Sequence, residues 1–223
     1  MRDRFQKSAS FTVDVALVTA MGNELAVLFV RNSAERERWS LPWRLPQAGE
    51  MLDAAAARVA QDALGESPTW MEQIGAFGDS KRHPSDAELS VAYVGLVPHE
   101  TASPRTGYAW FPMGDLPPLS PRHRAMVEAT TRTIQNRLDQ APIAFRLLPA
   151  TFTLSELQHM YELLLDKRLH KASFRRALQG AWLVEPTEEW RSEGRGRPAQ
   201  LFRYAPKKKR RLQRGVRFDF LYP

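Results

Sequence analysis

A chain of 223 residues, 43% apolar and 10% aromatic, has room for one large domain or two modest ones and is too apolar to be wholly disordered. No apolar run nears the ~18 residues of a membrane helix, and the opening MRDRFQKSASF lacks the apolar core of a cleaved signal. The absence of cysteine excludes disulfides, thiol catalysis and Cys-based zinc sites, while 32 Lys and Arg against 25 Asp and Glu leave a net charge of +7. The expected setting is the cytoplasm, with no membrane contact.

Residues 11–20, FTVDVALVTA, and 24–32, ELAVLFVRN, are β-rich, and Met21-Gly22-Asn23 between them predicts a hairpin. The polar stretch 31–50, broken by Pro42 and Pro46, predicts a loop. MLDAAAARVAQDAL (51–64) is Ala-rich and predicts a helix that Gly65 and Pro68 end. Strands are expected at 70–77 and 88–97, flanking a charged loop at 78–87 in which His83 is expected to be solvated. A short strand at 107–112 and a proline-rich connection lead to Ser120-Pro121, an N-cap followed by a first-turn proline. The spacing of Met126, Ala129, Thr133 and Ile134 predicts a helix that stops at Asp139–Pro142.

The remainder changes character. AFRLLP (144–149) predicts a short apolar strand. Thr153-Leu154-Ser155-Glu156 has the form of a capping box, and Leu154, Leu157, Met160, Tyr161, Leu164 and Leu165 then share one helical face. A turn at 166–169 leads to a second helix, HKASFRRALQ (170–179), closed by Gly180. Segments 181–191 and 198–206 predict a hairpin around SEGRGR. Strand, helix, turn, helix, hairpin is the order of a winged helix-turn-helix.

Charge follows the same division. Residues 1–140 carry 15 Lys and Arg against 17 Asp and Glu, a net of −2, whereas residues 141–223 carry 17 against 8, a net of +9. Such a footprint points to nucleic acid. KKKRRLQR (207–214) supplies 6 of those 17 cations; without it the segment stands at 11 against 8. In the second helix Phe174, Ala177 and Leu178 fall on the inward face and leave Lys171, Ser173, Arg175, Arg176 and Gln179 for a groove. Arginine and glutamine read guanine and adenine edges, while lysine and serine fix phosphates. Lys167 and Arg168 in the turn, Arg195 and Arg197 at the glycine-rich hairpin tip, and Gln200 beside it complete the expected DNA-binding set.

Two family resemblances rest on these residues. WSLPWRLPQAGEMLDAAAARVAQDALGE (39–66) resembles the Nudix box, keeping Leu41-Pro42, Gly49-Glu50, the Ala-rich helix, Arg58 and Gly65; WFPMGDLPPL (110–119) resembles a downstream part of the same domain. The resemblance implies a Nudix-like mixed-sheet α/β/α sandwich that binds pyrophosphate with magnesium. The chain departs from it at Val59, Asp62 and Ala63, where the family carries helix glutamates, and at Trp43 and Arg44, which replace glycines. Positions 59, 62 and 63 are expected on one helix face, with a single carboxylate left among them. No catalytic residue, resident metal or cofactor is therefore assigned, and the domain is expected to bind without cleaving. Arg44, Glu50, Arg58, Asp62, Phe77 and Arg82 are the expected effector-binding residues, the arginines for phosphate and Phe77 or Trp43 for a base. The plainer roles are an Arg58–Glu50 pair, a solvated Arg82 and a core Phe77.

Residues 145–204 resemble the DNA-binding half of the NrtR regulators, most strongly over Leu154–Leu165, Ser173–Arg176 and Gly194–Ala199. Together the resemblances imply an α/β (α+β) protein: a Nudix-like sensing domain at 1–140 that includes a linker helix at 121–139, a winged helix at 141–206 and a basic tail at 207–223. They imply a homodimeric repressor on double-stranded DNA with a palindromic operator, answering to a nucleotide or phosphorylated metabolite such as ADP-ribose and controlling NAD-related genes. The alternatives are a Nudix-type nucleoside diphosphate hydrolase with an accessory nucleic-acid-binding domain, or a sugar-responsive regulator of the same family.

Overall fold

The computed structural model describes residues 11–32, 39–78, 83, 85, 87–99, 102–192 and 198–206. Among these, the residues up to Thr19, from Ala26 to Val97 and from Ala102 to Thr130 form one compact unit; Ala20–Leu25, Pro98, His99 and the residues from Thr131 on form a second.

The first unit is organised by strand β1 (Phe11–Met21), whose residues from Thr12 to Ala20 are all buried. A strand buried on both faces belongs at the centre of a sheet covered on both sides. It lies between β2 (Glu24–Arg31) and β6 (Leu89–Leu96), the latter running parallel to it from Phe11↔Leu89 to Val18↔Leu96. β5 (Trp70–Gly78) pairs antiparallel with β6 through a bulge between Gln73 and Gly75. Three short strands complete the seven: β3 (Trp39–Ser40) and β7 (Tyr108–Pro112) on β2, and β4 (Trp43–Arg44) on β1. The loop expected at 31–50 therefore contains two strands, each too short to display a period of two.

Alternation along β1 sends Val13, Val15 and Leu17 to one face, where they pack with Ala55, Ala56, Val59, Ala60 and Ala63 of helix α1 (Leu52–Leu64). Alanines at these positions let the helix backbone lie close to the sheet. Gly65 ends α1 in the left-handed conformation, φ 82°, and its N–H bonds to the Gln61 carbonyl at 2.8 Å. The opposite face of β1 carries Thr12 and Asp14 toward the first turn of helix α2 (Pro121–Leu138).

The second unit contains the three-stranded antiparallel sheet β8 (Thr151–Phe152), β10 (Ala199–Tyr204) and β9 (Val184–Arg191), in that order, with helices α3 (Leu154–Leu165) and α4 (Lys171–Ala181). The strand expected at 144–149 is instead a 3-10 helix over Ile143–Arg146, and only Thr151–Phe152 is extended. Pro142 and Pro149 interrupt the backbone donors on both sides, so the apolar run turns its side chains inward without joining a ladder. Phe145 meets Phe152 at 5.7 Å, Tyr161 at 6.5 Å and Tyr204 at 4.7 Å between ring centroids, and Tyr161 meets Phe174 at 5.6 Å. The predicted capping box is present in full on α3. α4 runs past Gly180 and ends at Trp182, which holds φ 53° although it is not glycine. Among the described residues no helix is long and apolar enough to cross a membrane.

Candidate functional site

Helix α1 and the segment before it gather four of the predicted effector residues. Arg58 grips Glu50 with both Nε, at 2.8 Å, and Nη2, at 2.7 Å, and Nη2 also reaches the Leu45 carbonyl at 3.2 Å. The Gln47 amide donates to the same carboxylate at 2.7 Å. These bonds, Arg58's first, hold the Glu50 pKa down at about 2, and Glu50 in turn raises that of Arg58. Arg44 Nε lies 3.1 Å from Asp62, both side chains close to half exposed. Such a pair is worth little in water, roughly 0–1 kcal/mol, so a stronger anion displaces it at small cost. Phe77 is carried on a separate element, half-buried on β5 opposite Ser90. Arg82 lies outside the described residues.

Positions 59, 62 and 63 do not share an exposed face. A turn of about 100° per residue leaves Asp62 outward while Val59 and Ala63, 1% and 0% exposed, enter the apolar core. A Nudix-type magnesium centre wants several carboxylates converging on the helix surface. Here Asp62 is paired with Arg44, Glu50 with Arg58, and Asp53 accepts the Tyr93 hydroxyl at 2.7 Å. The residues present do not fit such an ion.

On the other face of the sheet lies a cluster that sequence reasoning missed. Asp14 Oδ1 is 2.8 Å from His83 Nε2 and 3.1 Å from His123 Nε2, and all three side chains are fully buried. Asp14 Oδ2 accepts the Thr12 hydroxyl at 2.6 Å, which contacts Ser90 Oγ at 2.8 Å. Burial works to raise the Asp14 pKa, but the hydrogen bonds from His123 and His83 outweigh it and keep the carboxyl ionised below the usual range. His83, expected in solvent, is instead a core residue, because a buried carboxylate recruits the nearest N–H donors. The available signal was a lone carboxylate inside the apolar run FTVDVALVTA.

In the second unit α4 is two-sided. Phe174 and Leu178 are buried, whereas Lys171, Arg175, Arg176 and Gln179 are exposed and Ser173 is half-buried, 3.2 Å from His170 Nδ1. Lys167 and Arg168 are exposed in the turn, with Arg168 reaching Glu162 at 3.4 Å. Gln200 donates to the Thr187 carbonyl across the wing at 3.2 Å. Arg195 and Arg197 lie outside the described residues, as does the tail 207–223. Arg191 on β9 holds Glu156 of α3 with two bonds, 2.8 and 3.0 Å, tying the wing to the helix.

Residues 144–204 match the family of the NrtR DNA-binding winged helix domain. The chain is similar to a protein of Acinetobacter baylyi named ADPR responsive transcriptional repressor NtrR, 27% identical over 208 residues, 89% of this chain and 83% of the relative. In structure it is similar to Shewanella oneidensis NrtR crystallised with a 27mer DNA: TM-score 0.77, 29% identity, 88% of this chain and 94% of the other covered. It also shares the fold of the NUDIX domain of that Shewanella protein, cocrystallised with ADP ribose, at TM-score 0.51 and 22% identity, over 60% of this chain and 94% of that one.

Proposed function

We infer that this chain, in which a winged helix of the NrtR type accompanies a Nudix-like domain, belongs to the Nudix-related transcriptional regulators and is a DNA-binding repressor controlled by a small effector. The observation that carries the reading is α4 within the matched segment. It fixes itself in the core through Phe174 and Leu178 and offers Lys171, Arg175, Arg176 and Gln179 on its free side. An α-helix presenting arginine and glutamine is what a major groove about 12 Å wide admits and what base edges recognise. The repressor works as a homodimer on a palindromic operator in the cytoplasm, and its genes belong to NAD-related metabolism.

The effector is ADP-ribose or a closely related nucleotide, the ligand that the names of the Acinetobacter and Shewanella proteins carry. Arg44, Arg58 and Arg82 are the phosphate ligands, and Asp62 and Glu50 hold the first two guanidiniums until phosphate arrives. Phe77 supports the base. ADP-ribose should weaken operator binding by a coupling of about 1–3 kcal/mol, roughly 5–150-fold. Fluorescence anisotropy on a labelled operator with and without ADP-ribose measures it; unchanged DNA affinity at saturating ligand would remove the effector from the scheme.

The protein is a regulator and not an enzyme, with the family's helix glutamates replaced by Val59, Asp62 and Ala63. Phosphate-release assays on ADP-ribose and NADH with Mg²⁺ or Mn²⁺ should stay at background. Turnover near the enzymatic median of ~10 s⁻¹ would overturn this part.

A further inference from the structure

Asp14 is a fully buried carboxylate whose direct partners are two imidazoles and a threonine hydroxyl. The buried guanidinium of Arg122 is linked to Asp14 through hydroxyls: Arg122 Nη1 to Ser90 Oγ at 3.3 Å, Ser90 to Thr12 at 2.8 Å, Thr12 to Asp14 Oδ2 at 2.6 Å. Buried charge is ordinarily paired or bound to a metal.

We propose that Asp14 Oδ1, His83 Nε2 and His123 Nε2 bind a divalent ion of the zinc class. The three atoms lie within 4.8 Å of one another, and the side chains are fully buried. Two imidazole nitrogens and one carboxylate oxygen are a donor set that suits a borderline cation such as zinc. Bonds of 2.0–2.1 Å in a tetrahedron set ligand atoms about 3.3 Å apart, from ideal geometry and zinc bond lengths. To admit an ion the contacts of 2.8 and 3.1 Å to Asp14 must open slightly and the two imidazole nitrogens, within 4.8 Å, must settle at the same spacing.

Outer contacts are in place at His83 and Asp14, while His123 Nδ1 is buried without a partner among the described residues. Ser85 Oγ lies 2.7 Å from His83 Nδ1 and accepts its N–H once Nε2 is a ligand, and Thr12 engages the carboxylate oxygen that the ion does not need. The Trp43 ring packs against that of His83, with centroids 5.0 Å apart and planes at 77°. The ion would clamp β1, the chain at His83 and the first turn of α2. The Ser85 amide, 3.1 Å from His83 Nδ1, marks the competing metal-free form, in which that nitrogen is bare and Nε2–H donates to Asp14. The two forms differ in the ion and in one proton on each ring, since His83 and His123 must both carry their proton on Nδ1 for Nε2 to bind.

The test uses the full chain alone, without DNA or ADP-ribose, so its outcome is independent of the regulatory reading. The chain, purified and stripped with a chelator, is titrated with ZnCl₂ and its metal content and Tm are read. We expect about one zinc per chain and, at a hundredfold excess over Kd, a Tm rise of roughly 5–11 °C. Nitrogen-15 imidazole spectra should then show His83 with a proton on Nδ1. His123→Gln should abolish binding, and Ser85→Ala, which leaves the ligands and the core intact, should weaken it by about 10–100-fold. No bound zinc, no Tm shift and a His83 ring protonated on Nε2 would overturn the proposal.

Discussion

Replacing Glu156 by alanine tests how the wing is held to the helical part of the DNA-binding unit. The substitution removes the Thr153 N–H bond of the capping box, 2.6 Å, and both bonds from Arg191. The Thr153 hydroxyl still caps the Glu156 amide at 3.1 Å, so half of the box survives. Losing a cap bond costs about 1 kcal/mol. The ion pair adds only roughly 0–1 kcal/mol, because its side chains are 36% and 35% exposed and water screens them. The expected loss is therefore about 1–2 kcal/mol, with a Glu156–Arg191 coupling of roughly 0.5–1 kcal/mol in a double-mutant cycle. Native-state hydrogen exchange at the α3 amides reads this locally, whatever the first unit does. Additive effects of Glu156→Ala and Arg191→Ala, or a loss below about 0.3 kcal/mol, would show that the wing is fixed by its apolar side alone.

Arg175→Ala and Arg176→Ala should each cost about 1–3 kcal/mol on the operator and flatten sequence preference, whereas glutamine at Lys207–Arg211 should weaken all DNA alike and shallow the salt slope. Titrations against operator and scrambled duplex at two salt concentrations separate them, and an intact preference in both arginine variants would move the reading surface elsewhere. Glu50 has its folded pKa lowered from 4.5 to about 2 by Arg58, so its contribution to stability is full above 4.5 and is lost as pH falls through 2. Urea midpoints taken across that window should fall less steeply for Glu50→Gln than for the unaltered chain; equal slopes would show that the pair does not stabilise the fold.

The long elements were legible because their patterns are local. The Ala-rich α1, the capping box of α3 and the split of α4 into Phe174 and Leu178 against Lys171, Arg175 and Arg176 all repeat within a few residues. What escaped depends on distant partners. His83 sits among charged neighbours that resemble a solvated loop, and its partner Asp14 is 69 residues away, with His123 109 residues from that same carboxylate. Residues 144–149 show that an apolar run fixes burial but not backbone shape, since 3-10 turn and strand both hide Phe145 and Leu147. The inward aim of Val59 and Ala63 required knowing which side of α1 the sheet covers. The Arg58–Glu50 pair, in contrast, was among the readings open from sequence because its two members are only eight residues apart.

The alanine-lined contact between α1 and β1 also bears on what this sequence can become. Placing glutamates at 59 and 63 would not restore a magnesium centre by two substitutions. Each new carboxylate would enter a space now filled by core atoms and surrounded by Val13, Leu28 and Tyr93. Burying an unpaired ion costs several kcal/mol, comparable with the 5–15 kcal/mol that a whole domain has. An acid at either position must be preceded by changes at several core positions that lift the helix from the sheet. The close seat of α1 on β1 thus confines new charge to the outward side of the helix, where Asp62 already stands.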